Sequence, residues 1–213
     1  MSRLPKALKV LLPLGAVGGA VAMGRSVSRQ RSNPEPFPAA RARFLDTGLA
    51  RRGAAKLIDR LDVAPGMRVL DVGAGIGRIS IPLAAKVGPE GEVVALDVQQ
   101  AMLDQLVKHA ADVGVTNIRT ICAPAGAGAM EEAAFDQALL VAVVGEIPPG
   151  QRLAAIREIR KALKPDGILY VFEGIADPHY QSSKALSHLA RHAGFTNLRA
   201  QRLGLAHLYT LRP

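Results

Sequence analysis

The 213-residue chain has no tryptophan, a single cysteine and only 4% aromatic residues. With so few rings, core volume has to come from Leu, Val, Ile and Ala, and the base-stacking surface used by single-stranded nucleic-acid binders is hard to build. One cysteine, Cys122, excludes an intramolecular disulfide framework and a cysteine-cluster metal site. By its type it is expected as a small buried apolar residue rather than as a reactive thiol. Acids are absent before Glu35. What is present, 49% hydrophobic and 21% charged residues, suits one packed domain at this length and excludes a disordered chain.

The net charge of +9 is local. Residues 1 to 60 hold 12 Lys and Arg against Glu35, Asp46 and Asp59, whereas residues 61 to 213 hold 15 of each sign. A neutral body with a basic arm suits an anionic membrane surface at least as well as nucleic acid. Within the arm, Val10 to Gly24 carry no charge, with Arg3, Lys6 and Lys9 before them and Arg25, Arg29 and Arg31 after. As a helix this run would reach roughly 22 Å, short of the roughly 30 Å of a bilayer core, and Pro13, Gly15, Gly18 and Gly19 weaken it. Four readings stay open: a membrane anchor or interfacial helix, a signal peptide cleaved near Ala20-Val21-Ala22, a mitochondrial-type presequence, and an ordinary buried helix. Residues 1–32 are thus expected as an anchor or targeting segment and residues 33–38, with three alternating prolines, as an extended linker. Residues 39–213 then form the domain, opening with a helix expected over Ala39–Leu61.

From Met67 onward short β-branched runs alternate with longer amphipathic ones, the pattern of βαβ layering. Strands are expected near Arg68–Val72, Val93–Asp97, Ile118–Cys122, Phe135–Val141 and Ile168–Glu173. Helices are expected near Arg78–Val87, Ala101–Val113, Gln151–Leu163 and Ser183–Ala193, with Lys164-Pro165-Asp166-Gly167 as a tight turn.

The most informative stretch runs from Val69 to Ser80, a strand entering the loop Gly73-Ala74-Gly75-Ile76-Gly77 and then a helix. Glycines there let the backbone approach a ligand and leave amides pointing into a site. Its G-x-G-x-G spacing is neither the dinucleotide G-x-G-x-x-G nor a Walker A loop. Twenty residues on, Asp97 ends the second strand beside the loop, where a carboxylate can accept both hydroxyls of a ribose; the competing reading is a helix N-cap. Asp71, inside the first strand, reads either as a strand-end acid satisfying loop amides or as a support beneath the ligand.

At these residues the chain resembles the class I S-adenosylmethionine-dependent methyltransferases, over roughly residues 40 to 213. Asp71 to Gly77 look like the family's first motif, Asp97 like its ribose acid, Phe135 to Leu140 like its fourth strand and Leu163 to Leu169 like its fifth-strand entry. Within the family the pattern is most similar to the small ubiquinone/menaquinone-biosynthesis and phospholipid N-methyltransferase-type enzymes. The resemblance implies a Rossmann-like, doubly wound α/β fold with a mostly parallel seven-stranded sheet and an antiparallel C-terminal strand. It implies S-adenosylmethionine as cofactor, held by Asp71, Gly73, Ala74, Gly75, Gly77, Asp97, Val98, Met102, Ala123 and Val141. One departure stands out: where the family places an acid for the adenine amino group, this chain has Cys122-Ala123-Pro124, which leaves adenine to backbone atoms and apolar walls.

Methyl transfer from a sulfonium needs positioning and exclusion of water above all, and a base only when the nucleophile must lose a proton. Glu146, Glu173, His179 and Tyr180 fall at the carboxyl ends of the fourth and fifth strands and are the candidate catalytic residues. Each has a structural alternative: a turn support at Pro148-Pro149 for Glu146, an ion pair for Glu173, a packed loop for His179 and Tyr180. His109, His188, His192 and His207 show no ligand spacing, so no metal is expected. The expectation is methyl transfer to an amphipathic, lipid-like small molecule by a cytoplasmic, membrane-associated enzyme, or a mitochondrial one in a eukaryote. The alternatives are a nucleic-acid or protein methyltransferase using the basic arm, which the neutral body and missing tryptophan disfavour, and a non-catalytic S-adenosylmethionine-binding module.

Overall fold

The computed structural model describes residues 34–40, 42, 47–175, 177 and 179–213. The expected anchor, residues 1–32, lies outside the described residues. Among those that are described, no helix is long and apolar enough to cross a membrane.

A helix α1 (Gly48–Ile58) precedes β1 (Arg68–Val72), α2 (Ser80–Val87), β2 (Glu92–Asp97), α3 (Gln100–Asp112), β3 (Ile118–Cys122) and β4 (Phe135–Val141). Then follow α4 (Arg152–Ala162), β5 (Leu163–Gly174), α5 (Ser183–Ala193), β6 (Asn197–Arg202) and β7 (Ala206–Arg212). The seven strands form one sheet in the order β3-β2-β1-β4-β5-β7-β6. All neighbours are parallel except β7, which runs against both β5 and β6. The α/β, doubly wound sheet with an antiparallel C-terminal strand is as expected. Consecutive strands run outward from β1 to β3 and then restart on its other side at β4, so a crevice opens between the carboxyl ends of β1 and β4.

Burial follows from composition. In β1 and β2 every residue after the first is buried, because helices cover both sheet faces and Val, Leu and Ala fill them. One face packs Leu70, Val94, Leu140, Ile156 and Leu169 together, and the other packs Val69, Leu83, Val93, Leu139 and Tyr170. At the far edge β6 is almost wholly exposed, and its Arg199 and Arg202 blunt an edge that would otherwise template pairing.

Three expectations change. The helix expected over Ala39–Leu61 is Gly48–Ile58 among the described residues, because Thr47 is extended and its hydroxyl accepts the Ala50 N–H at 3.2 Å, fixing the start. Cys122 is exposed, not buried, since it ends β3 near the sheet edge; its Sγ lies 3.7 Å from the Val98 carbonyl. Lys164 to Gly167 form no separate turn but an interruption within β5: pairing jumps from Phe135↔Leu163 to Gln137↔Ile168, leaving four residues opposite Asp136 alone. The Asp136 carboxylate holds this bulge, accepting from Lys164 Nζ at 2.6 Å and from the Arg68 N–H at 2.8 Å.

Candidate active site

A cavity of about 450 Å³ occupies the crevice, within the usual range for small-ligand sites. Its floor is the glycine loop after β1. Gly73 has φ +74°, and a Cβ there would collide with the Val143 side chain on the opposite wall, so the two strand ends approach this closely only because residue 73 is glycine. Gly75 and Ala74 line the cavity, whereas Gly77 turns to the far side of the loop against Leu106 and Ile81.

Asp97 faces the loop. Its Oδ2 accepts the Gly75 N–H and its Oδ1 the Gln99 N–H, both at 2.9 Å. It is not the helix cap, a position Gln99 occupies without a side-chain bond. A carboxylate has room for about four hydrogen bonds, so Asp97 retains acceptor capacity toward the cavity that it lines. Asp71 lies beneath the loop, 2% exposed, and accepts from the Ser80 hydroxyl at 2.6 Å. Burial pushes its carboxyl up to about 6, the Ser80 bond opposing this and the Asp97 charge adding to it. Val98, Met102 and Val141 form apolar walls; Ala123 stands behind its neighbours Pro124 and Ala125, which reach the cavity instead.

Across from Asp97, Glu146 lines the cavity beside Asp177, Ile147 and Pro148. Burial raises its carboxyl to about 7, with help from the Asp177 charge and against the Phe37 backbone hydrogen bond it accepts. Glu173, His179 and Tyr180 do not line the cavity. Glu173 is 1% exposed behind that wall, accepting from the Gln181 N–H at 3.3 Å, and burial pushes it up to about 8. The His179 ring stands 3.7 Å from the Asp177 carboxylate, and the Tyr180 hydroxyl 3.4 Å from His207 Nδ1. Of the four candidates, Glu146 alone fronts the cavity. Among the described residues there is no group of three or more His, Cys, Asp or Glu placed to hold a metal.

Several lining residues were not singled out from sequence: Pro34, Pro36, Phe37, Gln99 and Asp177. Pro34 is buried, so the stretch read as a linker packs along the site. Asp177 lies two residues before the candidate His179; Phe37 and Gln99 give no local signal because their roles depend on a contact 62 residues apart.

Comparison with known proteins agrees with this geometry. Residues 69–167 match the family model described as a methyltransferase domain. The chain is 32% identical over 130 residues to the ubiquinone/menaquinone biosynthesis C-methyltransferase UbiE of Bordetella avium, covering 61% of this chain and 50% of that protein. It is 30% identical over 117 residues to the nocamycin O-methyltransferase of Saccharothrix syringae, covering 54% and 40% respectively. The chain thus spans half or less of the length of these curated relatives. The fold is shared with a SAM-dependent methyltransferase from Aquifex aeolicus at TM-score 0.72 and 20% identity, over 82% of this chain and 98% of that one. Over residues 69–167 the chain thus resembles the class I S-adenosylmethionine-dependent methyltransferases, UbiE among them, and it shares their fold. The cavity fits that cofactor: glycine backbone at one end, a carboxylate with spare acceptor capacity for a ribose, and apolar walls between.

Proposed function

We propose that the protein transfers a methyl group from S-adenosylmethionine to an amphipathic, membrane-associated small molecule, with Asp97 as the ribose acceptor and Glu146 as the base. The observation that carries this reading is the division of one cavity between Asp97 with the glycine loop and Glu146 with an apolar wall of Phe37, Ile147 and Pro148. Bound S-adenosylmethionine supplies a methyl group already activated on a sulfonium. Asp97 orients it by accepting hydroxyl hydrogens, and Val98, Met102 and Val141 exclude water around it. Glu146, with a carboxyl raised to about 7, suits removal near neutral pH of the proton that a hydroxyl or activated carbon acceptor sheds as it gains the methyl. The relatives methylate carbon or oxygen by their names, which favours an acceptor of this protonated kind over a thiolate.

The apolar, neutral body and the basic 1–32 arm support a substrate met at a membrane surface, and a donor made in the cytosol supports a cytoplasmic, membrane-associated location. The test is transfer of label from methyl-tritiated S-adenosylmethionine into the solvent-extractable fraction of a membrane lysate. Label should enter with the wild type and fall by at least roughly 100-fold with Glu146→Gln, as for loss of a general base. Label confined to protein or nucleic acid would replace this reading with a macromolecular methyltransferase.

A further inference from the structure

The chain from Pro34 to Ala40 lies as a strap along the cavity, and one side chain of the body makes two hydrogen bonds to it. Gln99 Nε2 donates to the Phe37 carbonyl at 2.9 Å, and Gln99 Oε1 accepts the Ala39 N–H at 3.3 Å. Both ends of a single primary amide are therefore spent on the strap backbone, across a separation of about 60 residues in sequence. A third tie comes from the opposite wall, where Glu146 accepts a backbone hydrogen bond from Phe37. Ala42, with Phe37 and Ala39, packs on Ile76 and Met102 beneath.

The same Gln99 is bound at its backbone to the ribose acid, through the 2.9 Å bond from its N–H to Asp97 Oδ1. Three successive hydrogen bonds thus link a cofactor's ribose to the strap: hydroxyl to Asp97, the Gln99 N–H to Asp97, and the Gln99 side chain to the backbone of Phe37 and Ala39. We propose that Gln99 is a positioning residue that clamps the strap over the active site and couples its seating to cofactor binding at Asp97. The proposal rests on the cofactor role given to Asp97 above. It makes the strap, with Phe37 at its centre, the wall past which the acceptor must enter, and it makes cofactor occupancy tighten that wall. The acceptor-binding surface is then complete only after the cofactor is in place, which gives ordered binding.

The coupling is measured on the full-length chain by hydrogen exchange of the peptide spanning residues 34–40, with and without S-adenosylhomocysteine as the probe, for wild type, Gln99→Ala and Gln99→Glu. Loss of two hydrogen bonds should lower protection at Ala39 about fivefold to tenfold in Gln99→Ala without the probe. Gln99→Glu keeps the acceptor for Ala39 but loses the donor to Phe37, and should fall in between. The probe should raise strap protection in the wild type and fail to do so in Gln99→Ala, and by reciprocity probe affinity measured by calorimetry should fall in Gln99→Ala by no more than the factor by which the probe raises wild-type protection. A structural role alone would lower protection without removing the response to the probe.

Because the chain has no tryptophan, Phe37→Trp adds a single fluorophore to the strap, whose emission and acrylamide quenching report the same event. Equal protection of wild type and Gln99→Ala, or an equal probe response in both, overturns the proposal. Should Gln99→Ala not fold, the Gln99→Glu and Phe37→Trp comparisons decide it. If the probe binds no variant, the methyltransferase reading fails instead, and the ligand-free comparison still decides whether Gln99 is the clamp.

Discussion

Asp97 and Glu146 line one crevice while Glu173 is buried behind its wall, so the three carboxyls meet different surroundings. Asp97 is braced by two amides and offers charge, so Asp97→Ala removes one or two charge-assisted hydrogen bonds to a ribose, about 1.5 to 3 kcal/mol each, and S-adenosylhomocysteine affinity should drop at least tenfold by calorimetry. An unchanged affinity would remove the assignment. Glu173 is the reverse case. Its Oε1 is buried without a protein partner, and a neutral carboxyl left this way costs less than a charged one, which is why burial lifts it to about 8. The sign follows directly: between about 4.5 and 8 the folded protein keeps a proton that the unfolded chain has lost, so stability falls as pH rises through that window and is unaffected below it. Glu146 adds the same slope up to about 7. Glu173→Gln, permanently neutral, should therefore stabilise the protein at pH 8 by on the order of 1 to 3 kcal/mol and leave it unchanged near pH 4.5, read from urea unfolding at both. Parallel pH profiles for the two proteins would show that Glu173 is charged when buried.

At the scale of elements, what local sequence encodes was legible and what contacts encode was not. The strand β1, its glycine loop and Asp97 could be read because a β-branched run, three glycines at alternate positions and an acid 20 residues on lie in plain order. Apart from the start of β5, the five parallel strands were placed to within one residue for the same reason. The β5 bulge was hidden, because Lys-Pro-Asp-Gly signals a turn and only the pairing with Asp136 shows that the chain rejoins the same ladder. The alanine- and glycine-rich loop after β3 gave a composition without a conformation. Glu158 of α4 pins it, accepting from the Gly126 and Met130 amides. Proline spacing excludes a helix over residues 34–38, as observed, yet could not tell that Gln99 binds Phe37 and Ala39. The bulge makes a testable element. Burial opposes the Asp136 charge, but the Lys164 and Arg68 bonds outweigh it and hold the carboxyl below its ordinary value. Asp136→Ala should cost about 1 to 3 kcal/mol at neutral pH. The loss should shrink as pH falls below the ordinary aspartate value of about 3.9, where the unfolded chain takes up a proton that the folded carboxyl resists, and disappear once the folded carboxyl is protonated too. A pH-independent loss would assign the effect to packing.

For the molecule as a whole, charge is distributed as if two tasks had been given to two lengths of chain. The body from residue 61 onward balances to zero, so residues 1–60 hold the entire +9, and six of those charges lie in the acid-free arm 1–32. The exposed basic residues Arg51 and Arg52 of α1 continue that charge onto the folded domain. If the arm brings the cavity to a bilayer, its six cations around a 15-residue apolar run should each contribute about 1 kcal/mol on an anionic surface before screening. The apolar run adds about 25 cal/mol per Å² buried and needs no anionic lipid. These two terms respond differently to salt, so binding to phosphatidylglycerol-containing vesicles should weaken between about 50 and 500 mM salt without vanishing. Phosphate-driven nucleic-acid association would instead collapse by orders of magnitude over the same range. The strap begins at Pro34, so a protein starting at Asn33 retains every described contact of the site and should fold and bind S-adenosylhomocysteine. It should also fail to float with the vesicles that carry the full chain. Flotation of both proteins across the salt series, beside DNA and RNA mobility shifts at matched ionic strength, is the measurement. Equal flotation would move the membrane contact from the arm to α1 and its neighbours. Salt-sensitive nucleic-acid binding without flotation would make phosphate, not lipid, the reason for the arm's charge.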